Sequence, residues 1–516
     1  MPSWSHGYNV EVPYTFGYYK ETSPLWIKWG VFLGGRKPPL NNSLRVLELG
    51  CGQGYNLCMH AACFPQIEFV GIDFNPSHIA HAKELAELSG LRNVSFYEGD
   101  FVELADNFPE EWGEFDIVIL HGIWSWISKP VRMKVVEILK RVVLPGGVVY
   151  NSYNAMPGWM TGMILRELLR GYYKISNLPA LQALEKGFEL AKKLMEVNAQ
   201  VFNVYPNLKN RVEMAMKHNR NYVVHEYINE AHEIFWVQEV VEEMLEGKLY
   251  YAGSATLIEN YLPRLLPDPM EKLVNQFTHP IFRLFLIDLM INQAFRRDLY
   301  QKGQILPLGI EHVREIKKVR FIKVEDPEWK EGEEYRFQTP AGQIQGRKEV
   351  YEPILKFFED GEPRSVEEVL NIPELKSQGV MLPGVIQALT LLVDKGVLAF
   401  YNEGHDISHS FKFNKTVAKL CSEGRMYSFL ASPKAGTGVM LTNLEMMIFN
   451  ALLEGIREVP ELVKRTEENL RVLGRQVIKD GKVVENPEEE RKVIEDAVKE
   501  FVVKKIPKLK LHGILL

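Results

Sequence analysis

A short strand that runs directly into a glycine-rich loop constrains this chain more than any other stretch. Residues 44–54 read LRVLELGCGQG, in which apolar residues precede three glycines at alternate positions. Such an apolar run is typical of a parallel strand buried on both faces, and the glycines let the backbone turn tightly beside a ligand. The dinucleotide fingerprint is incomplete because Tyr55 stands where its third glycine belongs, and no P-loop lysine follows. The acidic Glu48 favours a cationic ligand over a pyrophosphate.

Strand-like and helix-like segments alternate downstream of this loop. Further strands are predicted to end at Asp73, Asp100, Gly122 and Asn151, with helices between them. This alternation is typical of a parallel sheet with helices on both faces, and such sheets bind ligands at the carboxyl ends of their strands. We therefore expect the glycine loop, both acids and His121 to meet at one edge of the sheet.

The sheet pattern is interrupted and then returns. Residues from about 160 to 220 read as helical, residues 221–228 (NYVVHEYI) as a sixth strand and residues 249–257 as a further strand. Apolar residues spaced by three and four between these two strands predict an amphipathic helix. The sequence thus predicts an α/β, Rossmann-like seven-stranded sheet that carries a helical insertion and ends near residue 260.

The segments before and after the predicted sheet differ in composition and in predicted secondary structure. Residues 1–43 are rich in aromatic side chains, and they either pack on the domain surface as an arm or close over the ligand as a lid. A mixed α+β region is predicted to follow the sheet. Its parts are a helical stretch from about 280 to 303, a strand-rich connector over 306–345, a winged-helix-like unit over 346–405 and a helical C-terminal region over 406–516.

Charge and composition argue against several classes of protein. The net charge is -6, and ten acids face four bases between Glu349 and Glu403, which disfavours nucleic-acid binding by the winged-helix-like unit. No apolar run has the roughly 20 residues of a membrane helix, and the N-terminus lacks the features of a signal peptide. We therefore expect a cytoplasmic protein without membrane insertion. The four cysteines form no C-x-x-C pair, so no metal site is predicted.

The two strand-end acids suit a ligand that contains adenosine. An acceptor at the end of the second strand can take hydrogen bonds from both ribose hydroxyls, and Asp73 stands there. An adenine amino group needs an acceptor at the end of the third strand, and Asp100 is placed for it. Either acid alone also fits a helix cap, but the ordered set of glycine loop, Asp73 and Asp100 favours an adenosine site.

Five segments carry a resemblance to a known family. LELGCGQGYNL, GIDFNPSHIAHA, EGDF, GEFDIVILHGIWSWI and LPGGVVYNSYNAMPGW resemble class I S-adenosylmethionine-dependent methyltransferases. Residues 217–305 resemble the methyltransferase regulatory domain of one branch, which includes bacterial lysine methyltransferases that modify outer membrane proteins. The resemblance implies S-adenosyl-L-methionine as cofactor, with residues 44–260 as the domain that binds it. The cofactor-binding residues that it implies are Tyr14, Glu48, Gly50, Cys51, Gly52, Gly54, Asp73, Phe74, Asp100, Phe101, His121 and Gly122.

Methyl transfer to a lysine requires an acceptor that is positioned and has lost its proton. An aromatic channel would desolvate the ammonium and lower its pKa. The catalytic candidates are Tyr14, His121, Trp124, Tyr153 and Asn154, and Trp126 and Trp159 are further channel candidates. The tryptophans equally fit core packing. His225, Glu226 and Tyr227 on the predicted sixth strand could orient an amine or take its proton, or could be ordinary strand residues.

Three functions stay open at this point. The resemblance and the extra domains favour a protein-lysine methyltransferase, with an outer membrane protein before export as one substrate. A sealed pocket would favour a small-molecule methyltransferase, and a non-catalytic cofactor-sensing scaffold is the third alternative. The sequence leaves the oligomeric state open, with a homodimer among the alternatives.

Overall fold

A seven-stranded sheet forms the centre of the first three hundred residues. The computed structural model describes residues 11–12, 15–41, 43–327, 329, 334–479 and 482–515. The strands of the sheet are β1 Arg45–Leu49, β2 Glu68–Asp73, β3 Val94–Glu98, β4 Phe115–Leu120, β5 Val143–Asn154, β6 Leu249–Ser254 and β7 Phe295–Lys302.

The strand order is β3-β2-β1-β4-β5-β7-β6, with β1 to β5 parallel and β7 antiparallel to both of its neighbours. Every residue of β4 is buried, as expected of a central strand covered on both faces. The predicted α/β, Rossmann-like seven-stranded sheet is therefore confirmed. Strand order reverses between β1 and β4, and ligands bind at such a switch point.

Helices cover both faces of the parallel half of the sheet. They are α2 Tyr55–Cys63, α3 Pro76–Leu88, α4 Phe101–Asp106 and α5 Lys129–Val142, whereas the preceding helix α1 Pro24–Leu33 packs against β6 and β7. The chain enters α3 through Asn75, whose side chain accepts a hydrogen bond from the backbone N–H of Ser77. The side chain of Asp100 likewise caps α4 by accepting from the backbone N–H groups of Val102 and Glu103. Both helices thus begin directly after a strand, beside the switch point.

The predicted helical insertion is present and extends further than expected. Its helices are α6 Met160–Ser176, α7 Ala180–Glu196, α8 Gln200–Val204, α9 Asn207–Lys217 and α10 Arg220–Tyr227, and α11 Val237–Glu246 then leads into β6. The prediction of a sixth strand over 221–228 was wrong, because this segment forms α10. Asn219 caps α10, and Val223, Val224 and Tyr227 bury one face of it against the insertion.

The last strand of the sheet was predicted to be the end of a helix. The structure has α12 Leu262–Leu265, α13 Asp268–Val274 and α14 Pro280–Ile291, and α14 stops at Asn292, whose φ of 53° is left-handed. β7 then pairs with β5 and β6. The sheet therefore extends to Lys302, and the predicted limit at residue 260 falls inside this domain. The segment was predicted as helical because its charged residues do not suggest a strand inside a sheet. In the structure two of them, Arg296 and Asp298, are buried as an ion pair.

Small sheets and short helices follow the main sheet. These elements are α15 Gly309–Lys318, β8 Arg320–Lys323, β9 Tyr335–Thr339, β10 Gly342–Gly346, α16 Lys348–Phe357, β11 Arg364–Ser365, α17 Val366–Leu370, α18 Pro373–Ser377, α19 Leu382–Asp394 and β12 Leu398–Phe400. The predicted strand-rich connector also contains the helix α15. β8 lies between β11 and β12 in a three-stranded antiparallel sheet, so the unit predicted as winged-helix-like draws one strand from outside the range 346–405.

The C-terminal region is mainly helical, as predicted, but it also contains two hairpins. Its elements are α20 Ile407–Ser422, β13 Phe429–Ser432, β14 Thr437–Met440, α21 Asn443–Leu453, α22 Val459–Val472, β15 Ile478–Lys479, β16 Lys482–Val483, α23 Pro487–Glu500 and α24 Ile506–Leu511. α20 and β13 pack directly on α2, the helix that follows the glycine loop. Among the described residues, no helix has the length and apolar character needed to cross a membrane.

Candidate active site

A cavity of about 1030 Å³ lies at the carboxyl edge of the parallel strands. One half is bounded by the glycine loop and by residues that follow β2, β3 and β4. The other half is bounded by the helical insertion and the segment after β5. The first half contains most of the predicted cofactor residues, so the expectation that the loop and both acids meet at one edge is confirmed.

The glycine loop is shaped by three residues with left-handed backbone. Gly50, Gly52 and Gly54 have φ angles of 75°, 54° and 74°, a region that side chains disfavour. A Cβ on Gly54 would lie 2.4 Å from the Cβ of Ala82, so this glycine is needed for packing against α3. A Cβ on Gly52 would meet nothing within 4 Å and would project into open space. Gly52 therefore offers its bare backbone to a ligand.

Asp73 fixes the loop as well as lining the cavity. Its Oδ2 accepts a hydrogen bond of 2.9 Å from the backbone N–H of Gly52, and its Oδ1 accepts from the backbone N–H of Asn75. His78 Nδ1 lies 3.1 Å from the same Oδ1. Asp100 also lines the cavity while its Oδ1 caps α4, so the helix-cap alternative and the cavity position both hold for this residue.

Glu48 is a buried carboxylate at the floor of the cavity. Only 3% of its surface is exposed, and Asn56 Nδ2 donates to its two oxygens at 3.2 and 3.5 Å. Burial raises the pKa of Glu48 to about 8 because the charged form loses its hydration. A bound cation would reverse this effect, so the side chain is suited to pair with an ammonium or sulfonium group.

His121 and Gly122 follow β4 and line the cavity as predicted. Burial lowers the pKa of His121 to about 3, so its imidazole is neutral, and its Nδ1 lies 3.0 Å from the hydroxyl oxygen of Tyr150. The ring of Tyr19 lies over His121 with 3.6 Å between the ring centroids. The backbone N–H of Gly122 donates to Ser152 Oγ at 2.9 Å, which fixes the turn after the strand.

The described part of the N-terminal arm crosses the cavity. Thr15, Phe16 and Tyr19 line it, and the carbonyl of Val12 lies 2.9 Å from His225 Nε2 on α10. The arm thus contacts the insertion at one end and the cofactor half at the other, which supports the lid interpretation. Tyr14, predicted to close the pocket, lies outside the described residues.

Two of the predicted catalytic residues lie outside the cavity. Trp124 is fully buried in the core beneath α5, and Tyr153 is turned to the other face of the sheet. There the Tyr153 hydroxyl donates a 2.5 Å hydrogen bond to Asp298, which also pairs with Arg296. Tyr153 was misassigned because neighbouring residues of a strand point to opposite faces, and Asn154 is the one that faces the cavity.

The second half of the cavity holds an acidic side chain among aromatic ones. Glu226 on α10 is hydrogen-bonded by Tyr222 and Asn154, and desolvation raises its pKa to about 7. Asn154 Nδ2 also lies 3.0 Å from His232 Nε2, and burial holds the pKa of His232 near 3. Because the His232 Nε2 accepts this bond, Asn154 presents its amide N–H groups rather than its oxygen to both neighbours.

Aromatic rings and two arginines complete this half. Trp126 and Trp159 line it, in agreement with their prediction as channel residues, and Arg211 lies 4.5 Å over the Trp159 ring. Arg297 on β7 also lines the cavity, and its Nε lies 3.9 Å from Glu21 Oε1. Arg211, Tyr222 and Arg297 were not among the predicted site residues, and Glu226 was predicted to lie on a strand. The signal that would have found them is helical spacing, since Tyr222 and Glu226 are four residues apart and share one face of α10.

Two family models match the chain over overlapping stretches. A methyltransferase domain matches residues 40–231, and a predicted methyltransferase regulatory domain matches residues 219–302. The Synechocystis protein sll1526 is 33% identical over 520 residues, which cover 99% of this chain and 100% of that relative. The chain belongs to the class I S-adenosylmethionine-dependent methyltransferases that carry this regulatory domain.

Two further proteins are similar to this methyltransferase in fold or in sequence. PKMT2 from Rickettsia typhi in complex with AdoHcy has the same fold, with a TM-score of 0.69 and 21% identity over 98% of this chain and 100% of that one. The Rickettsia prowazekii protein RP789 is 28% identical over 314 residues, or 57% of this chain and 56% of that relative. The regulatory-domain match contains α10, α11, β6 and β7, so in this methyltransferase it completes the catalytic sheet.

The cofactor half of the cavity fits the cofactor of the family, S-adenosylmethionine. The open space above Gly52 admits a ligand against the backbone. Buried Glu48 supplies the negative charge that an amino-acid ammonium needs. The carboxylates of Asp73, at the end of β2, and Asp100, just after β3, stand where an adenosine requires acceptors. The aromatic rings of Phe74 and Phe101 lie beside these carboxylates in the cavity lining.

Proposed function

We propose that this methyltransferase transfers methyl groups to lysine side chains of proteins. The observation that carries the proposal is the second half of the cavity, which Glu226 lines together with Trp126, Trp159 and its hydrogen-bond partner Tyr222. An alkyl ammonium is favoured by aromatic faces and by a carboxylate, and its aliphatic stem is favoured by apolar walls. A lysine side chain combines these three features.

We assign the cofactor half as follows. Glu48 and the loop residues Gly50, Cys51, Gly52 and Gly54 would surround the methionine part. Asp73 would accept from the ribose hydroxyls, and Phe74, Asp100 and Phe101 would enclose the adenine. His121 and Gly122 would face the sulfonium. The cofactor supplies an electrophilic methyl group. A cofactor held by these residues would present that group to the second half of the cavity.

The acceptor amine must release a proton before it can act as a nucleophile. An ammonium N–H bond breaks, the electron pair stays on nitrogen and the proton passes to an oxygen of Glu226. A carboxylate with a pKa of about 7 is about half ionised at neutral pH and is more basic than an exposed glutamate. Asn154 and Tyr222 donate hydrogen bonds to Glu226, which leaves them in place to orient it during this step.

A protein acceptor is also supported by the fold shared with PKMT2 and by the domains beyond the sheet, which add surface for docking. We propose unfolded outer membrane proteins, met in the cytoplasm before export, as the substrate class. The test is incubation with labelled cofactor and urea-unfolded bacterial outer membrane proteins, followed by mass spectrometry of tryptic peptides. Methylated lysines are expected, and label that is absent from every lysine would contradict the proposal.

Arg211 and Arg297 favour a second candidate, a small acceptor that carries a carboxylate. Both residues line the cavity, and the carboxylate of an acidic metabolite would pair with their guanidinium groups. The same labelled incubation can be run with a low-molecular-mass extract and no protein acceptor. A labelled methyl group in a small acidic product, and on no lysine, would support this alternative over the first.

A further inference from the structure

The C-terminal region reaches the cofactor loop through one histidine. His81 on α3 lies between them, with its Nδ1 2.7 Å from the carbonyl oxygen of Gln53 and its Nε2 2.7 Å from the hydroxyl oxygen of Tyr427. Gln53 stands between Gly52 and Gly54 in the loop and lines the cavity. Tyr427 stands two residues before β13 and is 1% exposed. Two short contacts thus join the loop to a residue more than three hundred positions away.

The direction of both hydrogen bonds follows from their chemistry. A carbonyl oxygen only accepts, so the proton of a neutral His81 is on Nδ1 and is donated to Gln53. Nε2 is then the acceptor and takes the hydroxyl proton of Tyr427. Burial lowers the pKa of His81, which favours this neutral state. The Gln53 carbonyl therefore sets the tautomer of His81, and the Tyr427 hydroxyl donates to the remaining ring nitrogen and holds the ring in the orientation that serves the loop.

Tyr427 is itself held rigidly. Its ring stacks on Tyr55, the first residue of α2, with 4.7 Å between centroids and 21° between planes. The Tyr55 hydroxyl donates to the carbonyl of Phe429 at 2.6 Å and accepts from the backbone N–H of the same residue at 3.0 Å. Tyr55 directly follows the glycine loop. The C-terminal region therefore fixes both the loop and the start of the helix that leaves it.

The same region also holds the arm. Phe16, which lines the cavity, lies 4.8 Å from Tyr427 and 4.9 Å from His81 between ring centroids. Further along the arm, the hydroxyl oxygen of Tyr18 lies 3.0 Å from Thr437 Oγ1, and Ser23 Oγ donates to the carbonyl of Gly436 at 2.9 Å. The hairpin of β13 and β14 thus supports the arm from outside while the arm lines the cavity from inside.

We propose that the C-terminal region is a working part of the cofactor site, and that Tyr427 is a positioning residue that acts through His81 on the cofactor loop. Without the Tyr427 hydroxyl, the His81 ring is free to turn and the Gln53 carbonyl loses its fixed donor. Binding of the cofactor must then also order the loop, which costs conformational entropy, so the affinity of the protein for the cofactor falls. This inference depends on the cofactor of the family and is independent of which acceptor is methylated.

The test is the binding of S-adenosylhomocysteine to the full chain, measured by calorimetry. Tyr427→Phe removes one hydroxyl and keeps the ring that stacks on Tyr55, so we expect the Kd to rise about fivefold, the effect of one hydrogen bond. Hydrogen exchange of the amides between Gly52 and Gly54 should accelerate in parallel. The matched control is Tyr261→Phe, which removes a hydroxyl 3.4 Å from Thr390 Oγ1 and outside the cavity.

A double-mutant cycle separates positioning from simple stabilisation. If Tyr427 acts through His81, the pair His81→Ala and Tyr427→Phe will bind S-adenosylhomocysteine as weakly as His81→Ala alone. Thermal unfolding of each variant checks that the variant is folded at the temperature of the binding measurement. An unchanged Kd in Tyr427→Phe, or losses that multiply in the double variant, would overturn the proposal.

Discussion

The backbone N–H of Gly52 donates a hydrogen bond to Asp73 Oδ2 at 2.9 Å, which ties the glycine loop directly to the acid at the end of β2. The two motif elements that are separate in the sequence therefore form one unit. The Asp73 carboxylate acts on the loop conformation as well as on any ligand in the cavity. Substitutions at either residue should affect cofactor binding more than they affect folding.

Gly52→Leu tests the loop half of this unit. A side chain at this position would fill the space above the loop, and the φ of 54° adds about 1–2 kcal/mol of strain. We expect no measurable binding of S-adenosylhomocysteine by calorimetry, with the C-terminal region still folded. Gly474→Leu is the control, since Gly474 has a φ of 60° and equally open space but lies outside the cavity. Normal affinity in Gly52→Leu would overturn the cofactor assignment.

Glu48→Gln tests the charge at the floor of the cavity. With a pKa of about 8, Glu48 is protonated in roughly nine-tenths of molecules at pH 7. A cationic ligand favours its ionised form, so cofactor binding at pH 7 should release close to one proton from Glu48. Calorimetry in buffers of different ionisation enthalpy measures this release, which should disappear in Glu48→Gln and persist in the exposed control Glu68→Gln.

The same substitution should stabilise the protein without ligand. The folded pKa of Glu48 lies above its unfolded value, so the folded state holds the proton more tightly and the free energy of unfolding falls as pH rises between the two values. Glu48→Gln removes this loss. We expect a higher Tm than the wild type at pH 8 and a smaller difference at pH 5, and equal pH dependence in both proteins would contradict the buried-charge interpretation.

The sequence predicted the parts of the fold that follow local rules. The loop at Gly50 to Gly54 and the acids at Asp73 and Asp100 are short-range signals, because glycine spacing and strand ends do not depend on distant contacts. β7 does depend on them, since Arg296 and Asp298 are stable inside the sheet only when paired with each other and with Asp288. No local pattern marks that pairing.

The acceptor half was harder to predict for a related reason. The β-branched pair Val223–Val224 favours a strand by propensity, yet the surrounding insertion buries this segment as a helix. The assignment of Glu226 to a strand hid its partnership with Tyr222 one helical turn earlier. The role of Tyr427 had no sequence signal, because its partner His81 is distant along the chain and on a different element.

Arg296→Ala and Tyr153→Phe test the charged network on the opposite face of the sheet. Removal of Arg296 leaves the carboxylates of Asp288 and Asp298 buried without their cation, which should cost about 3–5 kcal/mol of unfolding free energy. Tyr153→Phe removes one hydrogen bond to Asp298 and should cost about 1 kcal/mol. Urea unfolding measures both.

Cofactor affinity of the folded Tyr153→Phe protein should equal that of the wild type, and a large loss of methyl transfer would return Tyr153 to the catalytic candidates.

Glu226 provides the last prediction, on the pH dependence of methyl transfer to a lysine peptide. Below its pKa of about 7, Glu226 carries a proton and cannot accept another, so the rate at saturating cofactor should rise with pH and level off above 7. Glu226→Gln should lose this inflection and about a hundredfold or more in rate. The hydrogen bond from Tyr222 lowers the pKa of Glu226, so Tyr222→Phe should move the inflection to higher pH. The exposed neighbour Glu230 gives the control Glu230→Gln, and a profile that keeps its inflection in Glu226→Gln would assign the proton to another group.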